Sequence, residues 1–292
     1  MIYILENDIL KVKISSIGAE LQSIRRLEDD TEYLWQGDAT YWANRATNLF
    51  PFCGRNIDGK YTYAGETYEV PIHGFAKLQE FTVVHQKADG ITFRLTENEE
   101  TLAMYPFRFV LEYTYTLVGE TLNETVTVRN ADEKELIFAI GGHPGFNLPL
   151  NPGDTFEDYT VEFDDPCAAR RLSLSSTCFY LNDSVPFALE EGRRIPLRHE
   201  LFDDDAIFLR DVSKGVTLSS PNGPRKVHLS YPDMPFVGLW HKPHTEAPYV
   251  CIEPWRGVPA LDGAVNALED KPEMERLAPE GVYRNTFSIT FG

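Results

Sequence analysis

The chain has 292 residues, 42% hydrophobic and 25% charged, which is enough apolar material for a sizeable buried core. A formal net charge of -18 excludes binding that depends on neutralising phosphates, so neither nucleic acid nor an anionic membrane is an expected partner. No apolar run approaches the roughly 20 residues of a membrane-spanning helix, and Walker, GxGxxG, HExxH and GxSxG patterns are absent.

The four cysteines, Cys53, Cys167, Cys178 and Cys251, form no CxxC pair and no metal-ligand spacing. The N-terminal stretch lacks the basic and apolar regions of a secretion signal. The expectation is a cytoplasmic protein with reduced thiols.

In chain order, the pattern is one of short strands and tight turns. Tyr3–Leu5 and Ile9–Ile14 flank a Glu6-Asn7-Asp8 turn, Leu21–Leu27 follows Gly18, and Tyr33–Trp35 adds a short apolar strand. Tyr41–Phe50 reads as a loop rich in aromatic residues and asparagine. Lys60–Tyr63 and Thr67–Val70 then pair across Ala64-Gly65, and Phe81–His85 pairs with Ile91–Leu95 across Asp89-Gly90. Glu99–Met104 is the one helical stretch, of one or two turns.

The clearest alternation lies in Phe107–Leu117, where Phe107, Phe109, Leu111, Tyr113, Tyr115 and Leu117 share one face, the signature of a half-buried strand. Thr121–Val128 returns after Gly119-Glu120 as its hairpin partner. The apolar run Leu136–Ile140 is expected to stop at Gly141-Gly142 and deliver His143 into a turn closed by Pro144 and Gly145. Tyr159–Phe163, Ala206–Arg210, Gly215–Ser219, Lys226–Tyr231, Phe236–Trp240, Val250–Glu253 and Tyr283–Phe291 complete the strands. This order predicts an all-β, large antiparallel β-sandwich with few short helices, formed by one domain over residues 1–292. A propeller would need a blade period that the chain lacks.

Several stretches set a polar or titratable residue among Gly, Pro and aromatics. Asn48–Asn56 presents Arg55, a fixed fork of donors for hydroxyls or carboxylates that reads equally as half of a surface ion pair. His73, in Pro71-Ile-His-Gly-Phe-Ala-Lys77, reads alone as structural. His143 reads as either a satisfied turn histidine or a proton-transfer group with close ligand access past its glycines. Glu253 ends an apolar run against Pro254 and Trp255, where desolvation raises a carboxyl pKa and suits it to general-base work. The alternative there is a Glu253–Arg256 surface pair. Asp205 abuts the apolar strand that follows it and is placed to accept hydroxyl hydrogens. His228, His241 and His244 lie near one another in sequence, but His241-Lys-Pro-His244 reads as a loop, and no resident metal is expected.

Together, Gly18–Ile24, Tyr33-Leu-Trp-Gln36, Asn48–Arg55, His73-Gly-Phe-Ala-Lys77, Gly142–Asn147 and Glu253-Pro-Trp resemble the aldose 1-epimerase (galactose mutarotase) superfamily, with its LacX-like bacterial branch the nearest match. The resemblance spans nearly the whole chain and implies the galactose mutarotase-like supersandwich. It also implies interconversion of sugar anomers without a cofactor, on a hexose or hexose phosphate, by a monomer or homodimer. Carried over by position, it makes Glu253 the general base and His143 the general acid, with Arg55, His73 and Asp205 binding substrate; Asp204 is the less favoured register. Relatives often carry Arg where this chain has Lys77. Two rival readings follow: a sugar-phosphate epimerase, for which Lys77, Arg45 and Arg256 are candidate anion contacts, and a carbohydrate-binding or regulatory module without turnover.

Overall fold

The computed structural model describes residues 1–292. Two antiparallel sheets make up most of it. The nine-stranded sheet runs in the spatial order Arg194–Pro196, Thr160–Phe163, Gly215–Ser219, Lys226–Ser230, Val282–Phe291, Thr121–Asn130, Phe109–Val118, Gly90–Thr96, Thr82–Gln86. The seven-stranded sheet runs Tyr180–Pro186, Arg170–Leu174, Ile207–Arg210, Phe236–Trp240, Tyr249–Arg256, Ile140–Asn147, Ala46–Leu49. A three-stranded N-terminal sheet (Ile2–Glu6, Leu10–Ser15, Leu21–Arg26) and two ribbons complete the fold.

Period-2 patterning builds the first sheet. Phe109, Leu111, Tyr113, Tyr115 and Leu117 are buried while their neighbours are partly exposed, and the hairpin closes with Val118 paired to Thr121. The buried faces of both sheets meet in one apolar cluster that takes in Leu5, Val128, Ile252 and Phe291. Contact between the sheets is close: a Cβ added at Gly142 would stand 2.8 Å from the ring of Phe287 on the opposite sheet. The single α-helix, Glu99–Met104, starts at Asn98, whose side chain accepts from the Thr101 N–H in a capping box.

The seven-stranded sheet differs in one respect that matters for function. Ile140–Asn147 and Tyr249–Arg256 are buried on both faces along nearly their whole length. One face meets the core; the other lies under Trp35, Tyr41 and Trp42, which pack with Trp240 and Tyr249 of the sheet itself. The expected turn at His143 is therefore a strand: the apolar run breaks at Ala139, and the chain then pairs from Ile140 through Asn147. Likewise the strand carrying Glu253 continues through Pro254 and Trp255 to Arg256, so Glu253 sits within it and not at its end.

Two prolines explain both differences. Prolines cannot donate to a ladder and normally mark strand ends. Pro144 and Pro254 fall at one interruption of the ladder, between the pairs Gly141↔Trp255 and Gly145↔Cys251. The register is the same on both sides, so the strands pass the gap together, and His143 stands opposite Glu253. Tyr33–Trp35 is not a strand but contributes one bridge, Leu34 to Phe146. A strand over Ala46–Leu49 forms where the sequence pattern suggested loop, and strands over Arg170–Leu174 and Tyr180–Pro186 form where it suggested no element.

Candidate active site

His143 and Glu253 project from the outer face of the seven-stranded sheet, with His143 Nε2 3.3 Å from Glu253 Oε2. The two residues are only 7% and 1% exposed. The His143 ring stacks on Trp42 (centroids 4.7 Å, 26°) and meets Trp240 edge-on at 5.6 Å. Burial among these rings pushes the imidazole down to about 3. Burial also pushes the Glu253 carboxyl well above the usual range, reinforced by the charge of Asp205. The charged forms of both groups are thus disfavoured, so burial favours a neutral carboxyl facing a neutral imidazole across the 3.3 Å separation.

Three further side chains converge on the same space. His73 accepts the Gly54 N–H at Nδ1 (3.1 Å), which leaves its proton on Nε2 as a fixed donor. Its ring lies 5.5 Å from His143 and 5.4 Å from Trp255, and burial, with His143, Lys77 and Arg55 nearby, holds it well below the ordinary histidine range. Asp205 stands on the loop entering strand Ile207–Arg210. Its Oδ2 accepts from the Cys178 thiol at 2.9 Å and lies 3.7 Å from the Arg55 guanidinium. His73 (φ 65°) and Asp205 (φ 70°) both occupy the left-handed backbone region, a strain that tends to accumulate at functional sites.

Arg55, His73, His143, Asp205 and Glu253 all line one cavity of about 440 Å³, of the size that accepts a small molecule. Asp204 is exposed and lies outside it. The sequence profile of the aldose 1-epimerase family matches residues 1–266. The chain belongs to the aldose 1-epimerase family.

Similarity within that family is extensive. Protein LacX (plasmid form) of Lactococcus lactis subsp. lactis is 34% identical over 295 residues, covering 98% of each chain. A solved galactose mutarotase related enzyme from Lactobacillus acidophilus is 36% identical, with a TM-score of 0.95 over 100% of this chain and 97% of the other. A galactose mutarotase-like protein from Lactobacillus casei ATCC 334 is 31% identical, with a TM-score of 0.93 over both whole chains. The all-β sandwich expected from the sequence is the fold these structures share.

Against this aldose 1-epimerase frame, the alternatives for single residues separate. Arg256 pairs with Glu275 at 3.2 Å, so the Glu253–Arg256 surface pair does not form. Of the candidate anion contacts, Lys77 lines the cavity, while Arg45 donates to the Gln22 carbonyl and Arg256 to that of Asp233. His228, His241 and His244 do not converge: His228 faces Asp164, His241 is buried against His199, and His244 pairs with Asp203.

Sequence reasoning missed Trp42, Trp240 and Cys178. Trp42 lay inside the aromatic loop already noted, and its own signal was only that richness. Cys178 had no signal, because it reaches Asp205 from a hairpin that the pattern did not reveal. The glycines of the His143 strand admit aromatic side chains: Gly142 is packed under Phe287, and Gly145 lies against Trp35 and Trp42. The expected close ligand access past them is replaced by access from the cavity side.

Proposed function

We propose that this protein is an aldose 1-epimerase that interconverts the α- and β-anomers of a hexose by opening and reclosing the ring. The observation carrying this reading is the in-register pair of a buried carboxyl and a buried imidazole 3.3 Å apart on the floor of a cavity that also holds Arg55, His73 and Asp205. In the ionised form of the pair, the Glu253 carboxylate takes the proton of the anomeric hydroxyl while His143 gives its proton to the ring oxygen. The C1–O5 bond breaks and C1 becomes a carbonyl carbon.

Ring opening then leaves Glu253 protonated and His143 neutral, which is the state that burial favours for both. Rotation about C1–C2 and reversal of the same two transfers give the other anomer. Two proton transfers balance the reaction, so it calls for no cofactor. A positioned acid and base each contribute roughly 10²–10⁴-fold. The His73 Nε2–H and the Arg55 guanidinium would donate to sugar oxygens and to developing negative charge, and Asp205 would accept from hydroxyls.

A second reading, a hexose phosphate as substrate, is favoured by Lys77. Its ammonium lines the cavity, is pushed down by burial, and lies near enough to both histidines to lower them as well. An anionic substrate would offset that burial. Anomer exchange measured by NMR on galactose and glucose beside their 6-phosphates decides between the two. Faster exchange of the free sugars supports the hexose reading, and preference for the phosphates, lost in Lys77→Met, supports the second. No acceleration of either would leave a binding module.

A further inference from the structure

Cys251 has no part in the proton transfers proposed above, yet it stands beside them. It lies two residues before Glu253, on the same side of strand Tyr249–Arg256, and pairs with Gly145 as Glu253 pairs with His143. Residue 145 has no side chain, and a Cβ there would stand 3.4 Å from Sγ and 3.2 Å from both Trp35 and Trp42, so the thiol lies beneath the indole that stacks on His143. One ligand atom each from His143, Cys251 and Glu253 lie within 4.8 Å of one another, and all three residues are buried.

Two of these groups are unsatisfied. His143 Nδ1 and Glu253 Oε2 are buried without a hydrogen-bond partner. Orphaned buried polar atoms of this kind are costly, and one on each member of the facing pair calls for an explanation. We propose that Cys251, Glu253 and His143 form a site for a borderline-soft divalent cation, Zn²⁺ or Co²⁺, at the floor of the cavity.

The donor set selects the class of ion. One sulfur, one nitrogen and one oxygen match zinc or cobalt, whereas magnesium and calcium take oxygen ligands. Bonds of about 2.0–2.3 Å place the ligands of one tetrahedral ion about 3.3–3.8 Å apart, so about 1 Å of closure shared among three side chains completes the set. Three protein ligands leave the fourth position open toward the cavity. As the metal–sulfur bond forms, the thiol proton leaves to solvent, and so does the carboxyl proton if Glu253 carries one. An ion here occupies the lone pairs that epimerisation would use, so the site is inhibitory; that consequence, unlike the binding itself, rests on the function proposed above.

The test is a Co²⁺ titration of the full-length protein, followed by thiolate-to-cobalt charge-transfer absorption in the near ultraviolet. The expected result is one equivalent bound, with the band lost in both Cys251→Ser and Cys251→Ala and retained in Cys178→Ser and Cys167→Ser. Circular dichroism checks that each variant is folded. His143→Asn, which keeps every thiol, should weaken cobalt binding by about tenfold or more. No band in the wild type, a full band in folded Cys251→Ala, or unweakened binding in His143→Asn would overturn the assignment. In the activity arm, Zn²⁺ should inhibit anomer exchange and EDTA restore it. A cobalt band in a protein with no exchange activity would uphold the site and count against the epimerase reading.

Discussion

Across the interrupted ladder between Ile140–Asn147 and Tyr249–Arg256, His143 faces Glu253 in register, with Nε2 3.3 Å from Oε2. Adjacent strands rather than mobile loops set this distance, so the pair is held by the same pairing that holds the sheet. The loops supply Arg55, His73 and Asp205, which surround it.

Burying this pair makes stability depend on pH with a calculable sign. Glu253 titrates well above 4.5 in the fold, so above pH 4.5 the folded state keeps a proton that the unfolded state has lost, and stability falls as pH rises. His143 titrates near 3 instead of 6.5, so its contribution is lost as pH drops below 6.5. Above pH 6.5 only the carboxyl of the pair contributes. Glu253→Gln should therefore gain stability relative to wild type by up to ~1.4 kcal/mol per pH unit above about pH 6.5, for as long as the folded carboxyl keeps its proton. Glu124, raised to about 8, is present in both proteins and cancels. Denaturant titrations that run parallel across this range would contradict the shift.

Trp42 keeps water from the His143 ring by stacking on it at 4.7 Å. Trp42→Ala should move the midpoint of His143 from about 3 toward 6.5, read from its ring proton by NMR. An unmoved midpoint would show that the desolvation comes from elsewhere.

Gly142 leaves room for Phe287, whose ring a Cβ would approach to 2.8 Å. Gly142→Ala should destabilise the fold by about 1–3 kcal/mol, as overpacking does. The double variant with Phe287→Leu should recover part of the loss. An unchanged midpoint of chemical denaturation in the single variant would refute this packing role.

Asp205 lines the same cavity as the pair and is held by the Cys178 thiol and Arg55. If it binds sugar hydroxyls, Asp205→Asn should raise KM about 10- to 100-fold, the equivalent of one hydrogen bond to a charged group, with kcat little changed. A collapse of kcat at constant KM would instead place Asp205 in the chemistry.

The sandwich was legible wherever one sheet face meets solvent. Phe107–Leu117 alternates because only one of its faces is covered, and its hairpin is bounded by Gly119-Glu120. Legibility failed where both faces are covered: Ile140–Asn147 shows no alternation, and its glycines and proline imitate a turn. Arg55, His73, His143 and Glu253 stood out as polar groups among Gly, Pro and aromatics, Asp205 only as an acid abutting an apolar strand, and the family resemblance ordered them. Their convergence was not legible, because the match between Pro144 and Pro254 is a fact of register that neither segment contains alone. Cys178 and Trp42 were invisible as site residues for the same reason, since each acts through a contact made across the fold.

Polarimetry decides whether one buried acid–base pair opens a sugar ring. Freshly dissolved α-galactose, or α-galactose 6-phosphate if NMR shows that preference, is followed with wild type, Glu253→Gln and His143→Asn at equal concentration. The expected result is fast equilibration by wild type and a loss of about 10²–10⁴-fold in each variant, with far-ultraviolet circular dichroism unchanged. Near-normal mutarotation by folded Glu253→Gln would contradict it.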